Sequence, residues 1–384
     1  MANKDPVKIG VLYSETGATS AIESSQLLGT LLAIDEINEH GGIDGRELVA
    51  VRYDPQSDQQ QFRVLAEKLV TTDNVNVIFG CYMSSTRKAV IPVVERYNRI
   101  LFYATLYEGF EFSNNLIYTG AAPNQNSVQL ADFMMSSFGG RVYLVGSDYI
   151  YPYESNRIMS DLVSQRPGGE RVARRYVPVD AGPGDFNEII ADIKDKQPDF
   201  IFSTVVGNAT QHLYKAFAEA GLDPKKMPIA SLTTSEVEVA QMGAAAAAGH
   251  FTAAPYFQSV DTAANHACLE KITKRYGDKA IPNACWEAAY FQVHLFANAM
   301  RASGSDRIDA LMPKLLGSEF MAPQGRVRIE PSNHHTCLYP RIGRVNQKGQ
   351  FTIVRASTTA VVPDPYLVTH SLGDWTLALD EMGN

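Results

Sequence analysis

Short runs of apolar and β-branched residues alternate with segments whose apolar positions recur every three to four residues, from residue 7 to about residue 316. Parallel α/β sheets need that rhythm, because each strand is followed by a helix that carries the chain back to the same sheet edge. Residues 9–13 read as a strand, and 24–40 as a helix with Leu27, Leu28, Leu31, Leu32, Ile34 and Ile37 at helical spacing. Gly41 and Gly42 end that helix, since glycine tolerates the left-handed turn past a helix terminus. Strands are then expected at 48–53, 75–80 and 100–104, with helices at 59–70 and 85–97 between them. A second series follows, with helices at 126–137, 186–195 and 210–220, one after Pro152, and a short one from Ser235. Its strands are expected at 142–147, 172–179, 200–206, 228–233 and 251–257. Three further helices (264–276, 285–302, 307–316) lead to a tail of antiparallel strands at 326–329, 338–345 and 351–355.

Two βα arrays in 384 residues imply two domains, since one core rarely grows that large. The tight passage at Ala122 and Pro123 marks a crossing between them. The net charge of −8 and the lack of a dense basic run argue against direct nucleic-acid binding; Lys271 to Arg275 and Lys225 with Lys226 are short enough for helix faces or turns. No apolar run approaches the roughly 20 residues a bilayer requires, so membrane insertion is not expected. The opening residues run straight into the first strand without a leader, which gives a cytoplasmic expectation; an exported protein with its leader removed would read the same. Cys81, Cys268, Cys285 and Cys337 show no paired spacing, so zinc, a redox pair and disulfides are not expected.

Ligands of parallel α/β sheets gather at the carboxyl ends of strands. Those ends hold Tyr82, Ser84, Ser85, Tyr103, Thr105, Tyr149, Tyr151, Thr204 and Thr233, which are rich in hydroxyls and poor in charge. Hydroxyls donate to a carbonyl oxygen and accept from an amide nitrogen, while tyrosine rings supply apolar walls. Taken singly, Ser84, Ser85, Thr233 and Ser235 read sooner as helix N-caps; it is the concentration of such residues at several strand ends that points to a site. A zwitterionic ligand needs a carboxylate for its ammonium, and Glu108, Asp148 and Glu236 lie near in sequence. His334, His335 and Cys337 lack further ligands in register for a metal, and no nucleophile elbow, P-loop or dinucleotide fingerprint is present, so neither a cofactor nor an enzyme is expected. The run 244–248 reads as a helix end without chemistry, and Trp286 and Trp375 as packing residues.

Gly80-Cys-Tyr-Met-Ser-Ser-Thr-Arg-Lys-Ala-Val-Ile-Pro-Val-Val-Glu95 resembles a signature of the amide/urea branch of type I periplasmic-binding proteins, the Leu/Ile/Val-binding-protein-like group. Tyr107-Glu-Gly-Phe-Glu111, Thr119-Gly-Ala-Ala-Pro-Asn-Gln-Asn126, Gly146-Ser-Asp-Tyr-Ile-Tyr-Pro152, Phe202-Ser-Thr-Val-Val-Gly207 and Ala230-Ser-Leu-Thr-Thr-Ser-Glu236 continue it in order. Within the branch, the tail Pro363-Asp-Pro-Tyr366 with Asp374-Trp375 is similar to that of amide sensors that regulate aliphatic amidase operons negatively.

The resemblance implies a type I periplasmic-binding-protein fold, two doubly wound parallel-sheet lobes joined by three crossings near residues 122, 252 and 328. The lobes would be 1–122 with 253–328 and 123–252 with 329–384, a ligand cleft between them. It implies an amide pocket using Tyr82, Ser84, Tyr103 and Thr105 from one lobe and Tyr149, Tyr151 and Thr233 from the other. Leu106 stands where the sensors carry proline, which puts the preferred amide in question. The implied partners are a small acetamide-like ligand and an RNA-binding antiterminator released on ligand binding, with self-association into a homo-oligomer. The rival readings are an ABC-importer receptor for short-chain amides or urea, with the same pocket, and a branched-chain amino-acid receptor.

Overall fold

The computed structural model describes residues 5–277 and 280–368. The chain forms β1 (Val7–Leu12), α1 (Ser20–Glu39), β2 (Leu48–Tyr53), α2 (Gln59–Thr71), β3 (Val77–Gly80), α3 (Ser84–Arg96), β4 (Ile100–Tyr103) and β5 (Leu116–Tyr118). It continues with α4 (Ser127–Phe138), β6 (Arg141–Ser147), α5 (Ile150–Ser164), β7 (Glu170–Val177), α6 (Asn187–Lys196), β8 (Phe200–Thr204), α7 (Ala209–Glu219) and β9 (Ile229–Ser231). Then come α8 (Glu236–Met242), α9 (Ala244–Ala247), β10 (Phe251–Ala254), α10 (Ala263–Tyr276), α11 (Ala284–Ser303) and α12 (Ile308–Leu315). Five short strands complete the described residues: β11 (Glu319–Ala322), β12 (Gly325–Ile329), β13 (Thr336–Cys337), β14 (Arg341–Val345) and β15 (Phe351–Ala356).

These elements sort into two units. The first comprises 1–106, 110–121 and 262–337; the second comprises 107–109, 122–261 and 338–384. The later boundaries therefore fall at 261 and 337 rather than at the expected 252 and 328. The reason is strand pairing. β10 is hydrogen-bonded to β9 and β14 of the second unit, and β13 to β12 of the first, so each stays with its sheet.

The first unit holds a five-stranded parallel sheet in the order β2-β1-β3-β4-β5. Every residue of β3, β4 and β5 is buried, which is why these segments read as unbroken apolar runs: helices cover both faces of a parallel sheet. Gly29 of α1 faces the backbone carbonyl of Trp286 on α11, and a Cβ there would lie 2.5 Å from that oxygen. Only glycine permits this approach, and the fully buried Trp286 and Tyr290 stack beside it with ring centroids 5.4 Å apart. The antiparallel β11-β12-β13 sheet completes the unit.

In the second unit the parallel strands run β7-β6-β8-β9-β10, and β14 and β15 extend the sheet antiparallel beyond β10. β10 stops at Ala254, short of the expected 257, because Pro255 has no N–H to offer a ladder. Asp58, Thr262 and Asn283 accept backbone N–H bonds at the starts of α2, α10 and α11. α1 begins four residues earlier than its apolar pattern predicts, and Ser20 there donates to the Gly17 carbonyl. The alanine-rich run forms the one-turn α9. Trp375 and Asp374 lie outside the described residues.

Candidate functional site

Strand order fixes where a ligand fits in each unit. In both, the strand that starts the array sits one strand in from an edge with the next two strands on either side of it, so the chain departs in opposite directions from β1 and β3, and from β6 and β8. Loops at the carboxyl ends of such a pair diverge and open a crevice, the switch point at which doubly wound sheets bind small molecules.

At the first switch point, the loop after β3 turns sharply. Cys81 adopts a left-handed φ of 70°, rare for a residue with a Cβ, and its N–H bonds to the Leu12 carbonyl at 3.1 Å. The turn sends Tyr82 and Met83 into α3, whose first residue is Ser84. Met83, not Ser84 or Ser85, occupies the capping position and offers no side-chain cap, so neither serine is an N-cap. Ser84 is buried, and its Oγ accepts from Arg87 Nη1 at 3.0 Å; Ser85 is half-buried. Tyr103 donates its hydroxyl to the Tyr82 carbonyl at 2.6 Å and lies under the Arg87 guanidinium, 4.7 Å from its ring centroid. Thr105 is buried and accepts from Gln26 Nε2 at 3.0 Å. Gly120 presses against it: a Cβ there would lie 2.0 Å from the Thr105 carbonyl carbon.

Four residues that the sequence did not single out complete this face: Arg87, Glu111, Glu23 and Gln26. Arg87 is wholly buried and pairs with Glu111 at 2.8 Å, where Tyr118 also donates. Burial alone would raise the Glu111 carboxyl, but the Arg87 and Lys88 cations outweigh it and hold it down at about 2. Glu23 accepts from Ser14 N–H at 2.7 Å and from the Thr19 hydroxyl at 2.5 Å, yet burial pushes its pKa up to about 7. Gln26 sits one turn further along α1. Arg87, three residues past Ser84 on one helix face, carried a sequence signal; Glu23 and Gln26 looked like ordinary polar positions on a helix.

At the second switch point, Tyr149 follows β6 and Tyr151 opens α5, their ring centroids 6.2 Å apart. Tyr151 is buried and Tyr149 half-buried. Thr204, at the end of β8, turns inward: its hydroxyl donates to Asn156 Oδ1 at 3.1 Å and lies over Gly146. Thr233 donates to the Val205 carbonyl at 2.8 Å, fastening the loop after β9 to that after β8. Ser235 is an N-cap, bracing α8 in a capping box with Glu238. Glu236 is buried, accepts from Gln258 N–H at 2.9 Å, and burial raises its pKa to about 8. Tyr82, Ser84, Tyr103 and Thr105 therefore lie at the switch point of the first unit, and Tyr149, Tyr151 and Thr233 at that of the second, while Thr204 faces inward.

The His334, His335 and Cys337 cluster serves packing. The His335 ring stacks on Tyr118 at 4.1 Å between centroids, and burial drives its pKa down to about 3. None of the four cysteines is in a disulfide, and all are buried.

A two-unit chain of doubly wound sheets with hydroxyl-lined switch points is the architecture of a solute-binding protein. The model of the periplasmic binding protein domain matches residues 7–372, and the chain belongs to that family. It is 26% identical over 342 residues to Leu/Ile/Val-binding protein homolog 6 of Brucella melitensis, covering 87% of this chain and 86% of that one. It is 24% identical to the leucine-, isoleucine-, valine-, threonine- and alanine-binding protein of Pseudomonas aeruginosa, covering 85% and 86%. Among solved structures, the solute-binding protein of an ABC transporter from Rhodopseudomonas palustris HaA2, in complex with p-hydroxybenzoic acid, superposes with a TM-score of 0.85 at 21% identity, covering 96% of this chain and all of that one. The branched-chain amino acid transporter substrate-binding protein of Streptococcus pneumoniae, in complex with isoleucine, gives 0.80 at 21% identity, covering 92% and 99%. These four are described as amino-acid-binding or solute-binding proteins, and the type I fold expected from the sequence is the fold observed.

Proposed function

We propose that the chain is a solute receptor for a short-chain amide or urea, delivering it to an ABC importer. The observation that carries the ligand class is the chemistry at the strand ends. Tyr82, Ser84, Tyr103, Thr105, Tyr149, Tyr151 and Thr233 present hydroxyls and aromatic rings. The buried cation beside them, Arg87, is already neutralised by Glu111. Strand ends of this chemistry suit a neutral polar solute. The importer is supported by the relatives' descriptions as transporter and amino-acid-binding proteins. A ligand of about four heavy atoms at a ceiling of roughly 1.5 kcal/mol each has a Kd no tighter than tens of micromolar.

Glu236 favours a second reading, a branched-chain amino-acid receptor, because its carboxyl sits at a strand end where an ammonium could pair with it. Burial raises its pKa to about 8, so an ammonium ligand would have to offset that burial to hold the ionised form. A third reading rests on the motif resemblance alone: a cytoplasmic amide sensor that releases an RNA-binding antiterminator.

Calorimetric titration of ligand-stripped protein with acetamide, urea and leucine tests the ligand class. Micromolar acetamide or urea binding, lost in Tyr151→Ala, supports the proposal. Binding of leucine alone moves the assignment to the amino-acid receptor, and binding of none of the three removes the ligand class. Fractionation of cells expressing the native gene then separates a periplasmic receptor from a cytoplasmic sensor.

A further inference from the structure

Gln26 is fully buried on α1, beside the first switch point. Its Nε2 donates to Thr105 Oγ1 at 3.0 Å, while its Oε1 is buried without a hydrogen-bond partner. Buried amide oxygens are almost always satisfied in folded proteins, so an orphan next to a candidate ligand residue asks for a donor that arrives with the ligand. Turning the carboxamide over does not remove the problem. Oε1 would then take the Thr105 proton, and both N–H groups would be stranded.

The observed orientation also sets the polarity of Thr105. Nε2 occupies a lone pair of the Thr105 hydroxyl, which leaves its proton to be donated elsewhere. A hydroxyl donor and a carboxamide acceptor therefore stand side by side at the end of β4. That pairing matches a primary amide, whose carbonyl accepts and whose N–H donates from adjacent atoms.

We propose that Gln26 is the residue that distinguishes amides from carboxylic acids: its Oε1 accepts the ligand N–H while the Thr105 hydroxyl donates to the ligand carbonyl. The proposal rests on the amide reading and goes beyond it by naming the selecting residue. A carboxylate of the same shape has no N–H and brings a second lone pair against Oε1, so the acid is excluded although it fits sterically. Sites that hydrogen-bond a ligand group reject analogues lacking it far more strongly than they reject a change in size.

The test is calorimetric titration of the full chain with the isosteric pairs acetamide and acetate, propionamide and propionate. Wild type should prefer the amide in each pair. Gln26→Leu removes the acceptor and should weaken amide binding about tenfold, while acid binding strengthens because the opposing lone pair is gone, so that the preference narrows. Gln26→Met, similar in length and unbranched, serves if the leucine variant fails to fold, and circular dichroism checks both. An unchanged acetamide Kd in a folded variant overturns the proposal and leaves the amide reading standing. Equal weakening of amide and acid also overturns it, since Gln26 would then only support Thr105. If wild type binds no amide, the amide reading fails and this proposal fails with it.

Discussion

Glu111→Gln should destabilise the first unit by about 3 kcal/mol at pH 7, and the effect should fade in acid. Arg87 is 0% exposed in its side chain and Glu111 11%, so this ion pair is largely shielded from water. Neutralising the anion deprives a buried guanidinium of its counter-charge, and breaking a buried ion pair costs about 3–5 kcal/mol in comparable sites. Proton linkage gives a similar size independently. The Glu111 carboxyl falls from 4.5 to about 2, and at about 1.4 kcal/mol per unit this is on the order of 3 kcal/mol. A depressed folded-state pKa contributes stability that is complete above 4.5 and lost as pH falls through 2. Wild type and variant should therefore converge over that window, to less than about half the pH 7 difference by pH 3. All four cysteines belong to the first unit, so thiol labelling with a disulfide reagent active in acid follows that unit's denaturant unfolding alone. A difference below about 1 kcal/mol at pH 7, or one that is the same at pH 7 and pH 3, would refute the reasoning.

Two other predictions follow from packing. Gly29→Ala places a Cβ 2.5 Å from the Trp286 carbonyl and should force α1 and α11 apart, costing about 1–3 kcal/mol by overpacking; an unchanged thermal midpoint would show that the helices separate without strain. The native protein should resist alkylation at neutral pH at all four thiols, because each is buried and burial raises the Cys268 thiol to about 12 and the Cys337 thiol to about 11. Mass spectrometry after iodoacetamide treatment should show modification only once denaturant is added.

The alternation of strands and helices was legible because a parallel sheet covered on both faces leaves its strands no polar positions, as in β3 and β4, where every residue is buried. β5 escaped because three residues carry no periodicity. β11 escaped because its outer face exposes Met321 at 61% while Ala322 is buried, a short pattern indistinguishable from a loop. The unit boundaries slipped by nine residues at two places because strand partners, not local composition, decide which sheet a segment joins. At the site, the tyrosines and serines stood out by type at strand ends. Thr204 did too, yet its hydroxyl turns inward to Asn156, a direction that only the packed backbone defines. Gln26 was hidden in the opposite way. Its role depends on Thr105, 79 residues later, and a glutamine on a helix otherwise looks like solvent-facing polarity.

The interleaving of the two units bears on how the protein is made. The first sheet is complete at β5, but α11, which packs Trp286 against Gly29, lies beyond residue 283, and the unit's final strand ends at Cys337. A ribosome adding about 5–20 residues per second needs roughly 10–40 s to pass from residue 121 to residue 337. For most of that interval, until α11 has been made, the apolar side of α1 lacks its cover. The nascent chain is therefore exposed to aggregation for most of its synthesis, and a chaperone that shields α1 should raise the yield of folded protein more than one acting after release.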